Sequence, residues 1–445
     1  MKLLFVSLGC DKNLVDSELM LGLLTRDGYT FTDDEQEAEV IVINTCCFIN
    51  DAREESINTI LEMAELKKSG SCKALIVAGC LAQRYKQEII DEIPEVDGIL
   101  GTSSYDEISA VLKKALGGES VSCFHDLNSL PLVEMPRVVT TGGHYAFLKI
   151  AEGCDKHCTY CIIPSLRGNF RSIAMERLIE EAAHLAEQGV RELILVAQET
   201  TVYGKDLYGR KALPELLHKL AEIPGIYWIR IQYCYPEEIT DELIEAIKTE
   251  EKVCHYLDIP IQHASDRILK RMGRRTSQKQ LRDIIEKLRR EIPDIALRTT
   301  MIAGFPGETE EDHEEVMMFV DEMEFERLGV FAYSAEEDTP AASFPDQIPE
   351  EIKEARRDEI MELQQDIAFY KSDSMVGRVL DVMIEGKVAD EPAYVGRTYM
   401  DAPNVDGYIF VSSPELFMSG DFVRVRVTGS NDYDLIGEVY DEFAE

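Results

Sequence analysis

The chain has 445 residues, with 46 Lys and Arg against 84 Asp and Glu, a formal charge of −38 and a pI near 4.6. At about 100–200 residues per domain that is two to four domains, and 45% hydrophobic with 29% charged residues exclude a disordered chain. No apolar run reaches the roughly 18 residues of a membrane span. The acidity is spread, −12 over 1–140, −16 over 141–372 and −10 over 373–445, so no region offers the positive field that selects nucleic acid.

The first 125 residues alternate strand and helix. KLLFVSLGC, EVIVINTC, KALIVAGC and DGILGT read as strands, and LVDSELMLGLLTRDG, AREESINTILEMAELKKSG and SYDEISAVLKKALGG as helices, so this region is a parallel α/β domain. The apolar run from Leu3 to Cys10 is short and has only Lys2 as a basic residue before it, which fits a buried strand and not a secretory signal. Cys10, Cys46 and Cys80 end three of these strands. A single free cysteine is ordinarily a small buried hydrophobe, but ligands of open α/β sheets sit beyond the carboxyl ends of the strands. Three thiols delivered there point to a metal site.

A linker is expected over 126–143, on Pro131, Pro136 and the paired glycines at 142–143. From 144 to 371 the strands YAFLKI, ELILVA, YWIRIQY, YLDIPIQ, IALRTTMIAG and RLGVFAY alternate with five amphipathic helices and end on a charged helical segment at 349–371. Six such units predict a partial TIM-like (βα)6 barrel, with its site at the carboxyl ends of the strands; an open doubly wound sheet is the competing architecture. Five short strands over 373–445 predict a small OB-like barrel.

The sharpest motif is CDKHCTYC, which places Cys154, Cys158 and Cys161 in CxxxCxxC spacing directly after the first barrel strand. Thiolates at this density bind iron–sulfur or zinc, and His157 is an available fourth ligand for zinc. A cluster on three cysteines leaves one iron open. Eleven cysteines in a long chain with ordinary composition do not make a disulfide scaffold. Reduced thiols and a cytoplasmic location are expected, with Cys72, Cys123, Cys234 and Cys254 as structural thiols.

CxxxCxxC after a first barrel strand, with aromatic Tyr160 just before the last cysteine, resembles the radical S-adenosylmethionine (SAM) superfamily. The resemblance implies a 4Fe-4S cluster whose open iron chelates the amino and carboxylate groups of SAM and whose reduction yields a 5′-deoxyadenosyl radical. SLGCDKNLVDSE, INTCCFI and AGCLAQRY resemble the N-terminal domain of methylthiotransferases, which implies a second 4Fe-4S cluster on Cys10, Cys46 and Cys80. The last 73 residues resemble their TRAM domain. Cys47 departs from the pattern, since a small residue is more usual there, so either thiol of the pair can be the ligand; Cys46 fits the motif frame.

Within the methylthiotransferases, CDKNLVDSE, CIIPSLRG, AQETTVYGKDLYG, YLDIPIQHAS and DAPNVDGYIFV resemble the branch that modifies protein twelve of the small ribosomal subunit, the RimO type. That implies a transferase that adds a methylthio group to the β-carbon of an aspartate, with one SAM as methyl donor and another as radical source. Sulfur then passes through the auxiliary cluster, and a low-potential electron donor and a sulfur donor are further partners. Methylthiolation of tRNA, as by the MiaB type, is the alternative, against which the acidity argues. A non-catalytic iron–sulfur protein for electron transfer or sensing is the alternative of another class; it leaves the six-unit barrel unexplained. The acidic C-terminal barrel is expected to dock the basic ribosomal protein.

Supporting residues stand at other strand ends. Gln198 and Glu199 lie where the superfamily binds the SAM amino group, with helix capping as the plainer role. Gly304, Pro306 and Gly307 of AGFPGE, followed by Glu308, suit close approach of a cofactor to backbone, although a simple Gly-Pro turn has the same sequence. Gln262 and His263 read as wall residues. Arg271, Arg274 and Arg275 read as a solvated basic cluster. The sequence assigns no acid–base catalytic residue.

Overall fold

The computed structural model describes residues 1–131 and 137–440; residues 132–136 of the expected linker, Pro136 among them, and 441–445 at the end of the last barrel lie outside the described residues. The N-terminal region forms a six-stranded parallel sheet. Its spatial order is Thr30–Phe31, Lys2–Ser7, Val40–Thr45, Ala74–Gly79, Gly98–Leu100 and Val121–Cys123. VIVINT and ALIVAG are buried at every position, because helices cover both faces of a parallel sheet and leave no polar alternation. The two edge strands, of two and three residues, are too short to show in a sequence pattern.

The central region is a second six-stranded parallel sheet: Tyr145–Lys149, Glu192–Val196, Trp228–Ile231, Val253–Asp258, Ala296–Ala303 and Arg327–Ala332, side by side in chain order. A doubly wound sheet reverses its order at a switch point. This one does not, so it is the partial barrel. Its five outer helices are amphipathic; in Gln278–Glu291 the Ser277–Gln280 capping box sets the start, and Leu281, Ile285 and Leu288 bury one stripe. On the inner face, Val15 of the N-terminal helix Asp11–Arg26 packs among Tyr145, Phe147, Ile194 and Val196, which seats the first domain on the barrel.

Helix Glu350–Asp373 leads to a closed five-stranded barrel of Val379–Lys387, Ala393–Arg397, Ile409–Ser412, Asp434–Val439 and Phe422–Asn431. Its core continues into the amino ends of the central strands, where Trp228, Cys254, Tyr256 and Ala296 join Val382, Ile384, Tyr394 and Val411. A charged layer seals the seam. Glu192 is held by Arg230 at 2.7 Å and Arg397 at 2.6 Å, all three fully buried, and Arg298 meets Asp406 at 3.4 Å. No helix among the described residues is long and apolar enough to cross a membrane. Cys72, Cys234 and Cys254 are buried and Cys123 is half-buried on an edge strand.

Candidate functional site

Three adjacent parallel strands, Lys2–Ser7, Val40–Thr45 and Ala74–Gly79, bring Cys10, Cys46 and Cys80 to one sheet edge. Burial, with Cys80 and Cys10 close by, pushes the Cys46 thiol up to about 12. Burial also raises Cys80, against the pull of Arg167. Cys47 is fully buried in the apolar cluster of the domain, with Cys80, Arg84 and Cys46 as its charged or ionisable neighbours. Of the adjacent pair, Cys46 lies beside Gly9, the residue before Cys10, and Cys47 in the apolar cluster with Cys80.

Glycine precedes Cys10, Cys80 and Cys154, a repeated dipeptide that the sequence shows and that motif reading overlooks. At Gly9 φ is +91° and a Cβ would stand 2.6 Å from the Cys46 Cβ; at Gly153 φ is +79° and a Cβ would stand 2.1 Å from the Asn169 carbonyl oxygen. Only glycine turns the chain there and lets the next cysteine approach its neighbours.

The second triad lies beyond the first barrel strand. Burial, with Glu199 and Cys158 adding, pushes Cys154 up to about 11, and burial with Cys158 and Cys154 pushes Cys161 up to about 12. The cysteine loop is pinned to the rest of the mouth. Thr159 donates its N–H to the Met272 carbonyl at 2.9 Å and accepts from Ala341 N–H at 2.9 Å. The Tyr160 ring meets Phe305 of AGFPGE edge-on at 6.5 Å. His157, the alternative fourth ligand for zinc, is exposed, with φ +50°.

Arg167, from CIIPSLRG, ties the first triad to the barrel. It donates to Cys80 Sγ at 3.5 Å and Asn13 Oδ1 at 2.5 Å, and to Asp16 at 2.7 Å and Glu152 at 3.1 Å. Lys149 pairs with the same two carboxylates. All these groups are at least nine-tenths buried, so a paired ionic core holds the N-terminal domain on the barrel.

At the second strand end, Gln198 donates to Glu152 Oε1 at 2.9 Å, and Thr201 Oγ1 donates to Glu199 Oε1. The buried Gln198 Oε1 and Glu199 Oε2 accept no hydrogen bond. Burial pushes Glu199 up to about 7, with Lys156 pulling the other way from 3.4 Å. Gln198 Oε1 is thus a buried acceptor without a donor, which fits an ammonium group, while Glu199 Oε2 already faces the Lys156 ammonium.

The AGFPGE turn is braced from below. Glu308 accepts from Phe305 N–H at 3.1 Å and from Arg356 at 3.0 Å, and His263 Nε2 lies 3.3 Å away. Burial alone would raise Glu308; the bond from His263 and the charge of Arg356 hold it below the usual carboxylate range. His263 Nδ1 accepts from Ser265 N–H at 2.9 Å, so it is a wall residue as expected. The open sides of Gly304 and Gly307 face Lys353 and Arg271, so the missing side chains make room for these protein groups. The solvated reading of the arginines holds for exposed Arg275 alone. Arg271 bonds the Pro306 carbonyl at 3.1 Å, and buried Arg274 bonds Pro260 O and lies over the Tyr235 ring at 4.3 Å.

Residues 2–101 match the uncharacterized protein family UPF0004, 148–320 the radical SAM superfamily and 376–439 the TRAM domain. A ribosomal protein uS12 methylthiotransferase RimO from Lachnoclostridium phytofermentans is 68% identical over 98% of this chain and 99% of that protein. The chain belongs to the RimO family. RimO proteins of Acetivibrio thermocellus, at 53% identity, and Clostridioides difficile, at 49%, align over 98% and 100% of it. The radical SAM methyltransferase TsrM from Kitasatospora setae shares the fold, with a TM-score of 0.54 at 13% identity over 74% of this chain and 72% of that one. Among the described residues no three Cys, His, Asp or Glu side chains converge as on one metal ion. A cubane cluster takes each thiolate at a separate iron, so its ligands stand farther apart than those of one ion. Thiols brought together at strand ends fit such a site, and a metal displaces their protons on binding.

Proposed function

We propose that this chain transfers a methylthio group to the β-carbon of an aspartate in ribosomal protein uS12, using SAM and two 4Fe-4S clusters. The observation that supports it most is the two thiol triads at the carboxyl ends of two parallel sheets, with Arg167 running from Cys80 of the first to Glu152 of the barrel. In this reading residues 1–125 carry the auxiliary site, 144–371 the SAM site and 373–445 a docking barrel. Bound clusters would supply one-electron reduction on Cys154, Cys158 and Cys161, and sulfur on Cys10, Cys46 and Cys80. The chain itself binds and orients. Gln198 Oε1 and Glu199 accept from the amino group of SAM, while Tyr160 and the Gly304–Pro306–Gly307 turn wall the mouth. Removing hydrogen from an unactivated carbon calls for no acid–base side chain.

Charge favours a basic protein as partner. Of the five basic residues in 373–445, Arg397 is buried in ion pairs, and Arg424 and Arg426 lie over Tyr440 at 5.4 and 4.7 Å. The barrel packs at the amino ends of the central strands, whereas the triads stand at the carboxyl ends. A substrate touching both therefore spans about 20 Å, the length of a six-residue strand. A ribosomal substrate places the enzyme in the cytoplasm, with a low-potential electron donor and a sulfur donor as further partners.

The test is anaerobic turnover of reconstituted protein with SAM, reductant, and either uS12 or bulk tRNA, read by mass spectrometry. uS12 is expected to gain one methylthio group in place of hydrogen; modification of tRNA with uS12 unchanged overturns the reading. Cys47→Ala is expected to keep full iron content and turnover, because Cys46 is the thiol beside Cys10. Loss of iron in that variant with Cys46→Ala unaffected would reverse the assignment.

A further inference from the structure

We propose that Lys12 binds the side-chain carboxylate of the substrate aspartate; this rests on the proposed action on uS12. Lys12 is the second residue of helix Asp11–Arg26, two positions after Cys10, and is 7% exposed. Its Nζ lies 3.3 Å from the centroid of the Tyr233 ring. Tyr233 follows the third barrel strand with φ +59°, an uncommon conformation for a bulky residue, fixed by its N–H donating to Asp258 at 3.0 Å. Lys12 thus stands at the seam between the auxiliary triad and the mouth of the barrel.

What sets this lysine apart is that, among the described residues, no carboxylate pairs with it directly; Tyr233, Cys10 and Asp11 are the groups that favour its charge. The other buried lysines of the site pair with carboxylates: Lys149 with Asp16 and Glu152, and Lys156 with Glu199, Glu237 and Glu238. Neighbouring Asp11 is engaged by the Tyr233 hydroxyl at 3.2 Å. A buried ammonium without an anion is costly, and the face of Tyr233 offsets only part of that. A substrate carboxylate would supply the direct partner.

The chemistry of the reaction names it. The carbon to be modified is bonded directly to the aspartate carboxylate, so an ammonium that fixes the carboxylate also fixes the β-carbon. Lys12 adjoins Cys10, on the sulfur-donating side, while the acceptors proposed for SAM lie at Gln198 and Glu199. An adenosine substrate has no carboxylate to offer. Lys12 also lies within CDKNLVDSE, one of the phrases that resembles the protein-modifying branch.

The test is a double-mutant cycle on binding. Cluster-loaded wild type and Lys12→Met are titrated anaerobically with uS12 and with uS12 whose modified aspartate, located by mass spectrometry, is replaced by asparagine. Wild type is expected to bind the aspartate form about 10-fold tighter. Lys12→Met should bind both forms equally, and Lys12→Arg should restore part of the difference; KM should rise more than kcat falls. Iron content checks that the variant is folded. Undiminished discrimination in Lys12→Met overturns the proposal. So does wild type binding both forms of uS12 equally, a result that needs no variant of the enzyme. Failure of wild type to modify uS12 at all is a separate result and overturns the functional reading instead.

Discussion

Alanine at Cys154, Cys158 and Cys161 together is expected to halve the iron of the reconstituted protein, from about eight atoms per chain on two 4Fe-4S clusters, and to abolish reductive cleavage of SAM. Alanine at Cys10, Cys46 and Cys80 should also halve the iron but leave SAM cleavage measurable. The two outcomes differ because each triad belongs to its own sheet edge and carries its own thiol–thiol coupling: Cys46 with Cys80 and Cys10, Cys161 with Cys158 and Cys154. The barrel should tolerate loss of the auxiliary triad, since Arg167 keeps Asp16 and Glu152 as partners when Cys80 is gone. Iron analysis and detection of 5′-deoxyadenosine after dithionite reduction check both variants. A triple variant that keeps all its iron shows that its triad is not a cluster site.

The placement of the six cysteines at strand ends was legible in the sequence because its signal is local: cysteine at the end of an apolar run, or three cysteines within eight residues. The six central strands were legible for a similar reason, since each is an apolar run followed by an amphipathic helix. What joins these parts was not legible. Arg167 meets Cys80 across 87 residues of chain, and nothing near either residue marks the pair. Glu192, Arg230 and Arg397 look in sequence like any surface charges; only the packing of the last barrel on the amino ends of the strands makes them a buried cluster. Arg274 misled in the same way, because a guanidinium stacked on Tyr235 and one in water have the same sequence context. Gly304 was recognised as a special position, but the group it makes room for, Lys353, lies on a helix that follows the sheet.

Removing Glu192 is expected to detach the C-terminal barrel before anything else in the molecule fails. Its carboxylate is the anion shared by Arg230 and Arg397, with no solvent reaching any of the three. Arg397 keeps Glu385 at 2.6 Å, but Arg230 is left with only the carbonyls of Tyr399 and Thr398. Breaking a buried pair by deleting one partner costs about 3–5 kcal/mol, because the remaining charge stays buried. The single tryptophan reports on this seam directly, since Trp228 meets Phe422 of the C-terminal barrel edge-on at 4.8 Å. Urea unfolding followed by Trp228 fluorescence should show Glu192→Ala losing stability on that scale at neutral pH, with Glu192→Gln losing less because it keeps one acceptor. Burial alone would raise the Glu192 carboxyl, but Arg397 and Arg230 together hold it below the usual carboxylate range. A group depressed in this way stabilises the fold fully above its unfolded value of about 4.3, and that contribution disappears as pH falls through the depressed folded value. The gap between wild type and Glu192→Gln should therefore be constant near neutrality and close as the solution is acidified below about pH 4. A Trp228 midpoint that does not move in Glu192→Ala, or a gap that widens in acid, would show that the barrel is held by its apolar contacts alone.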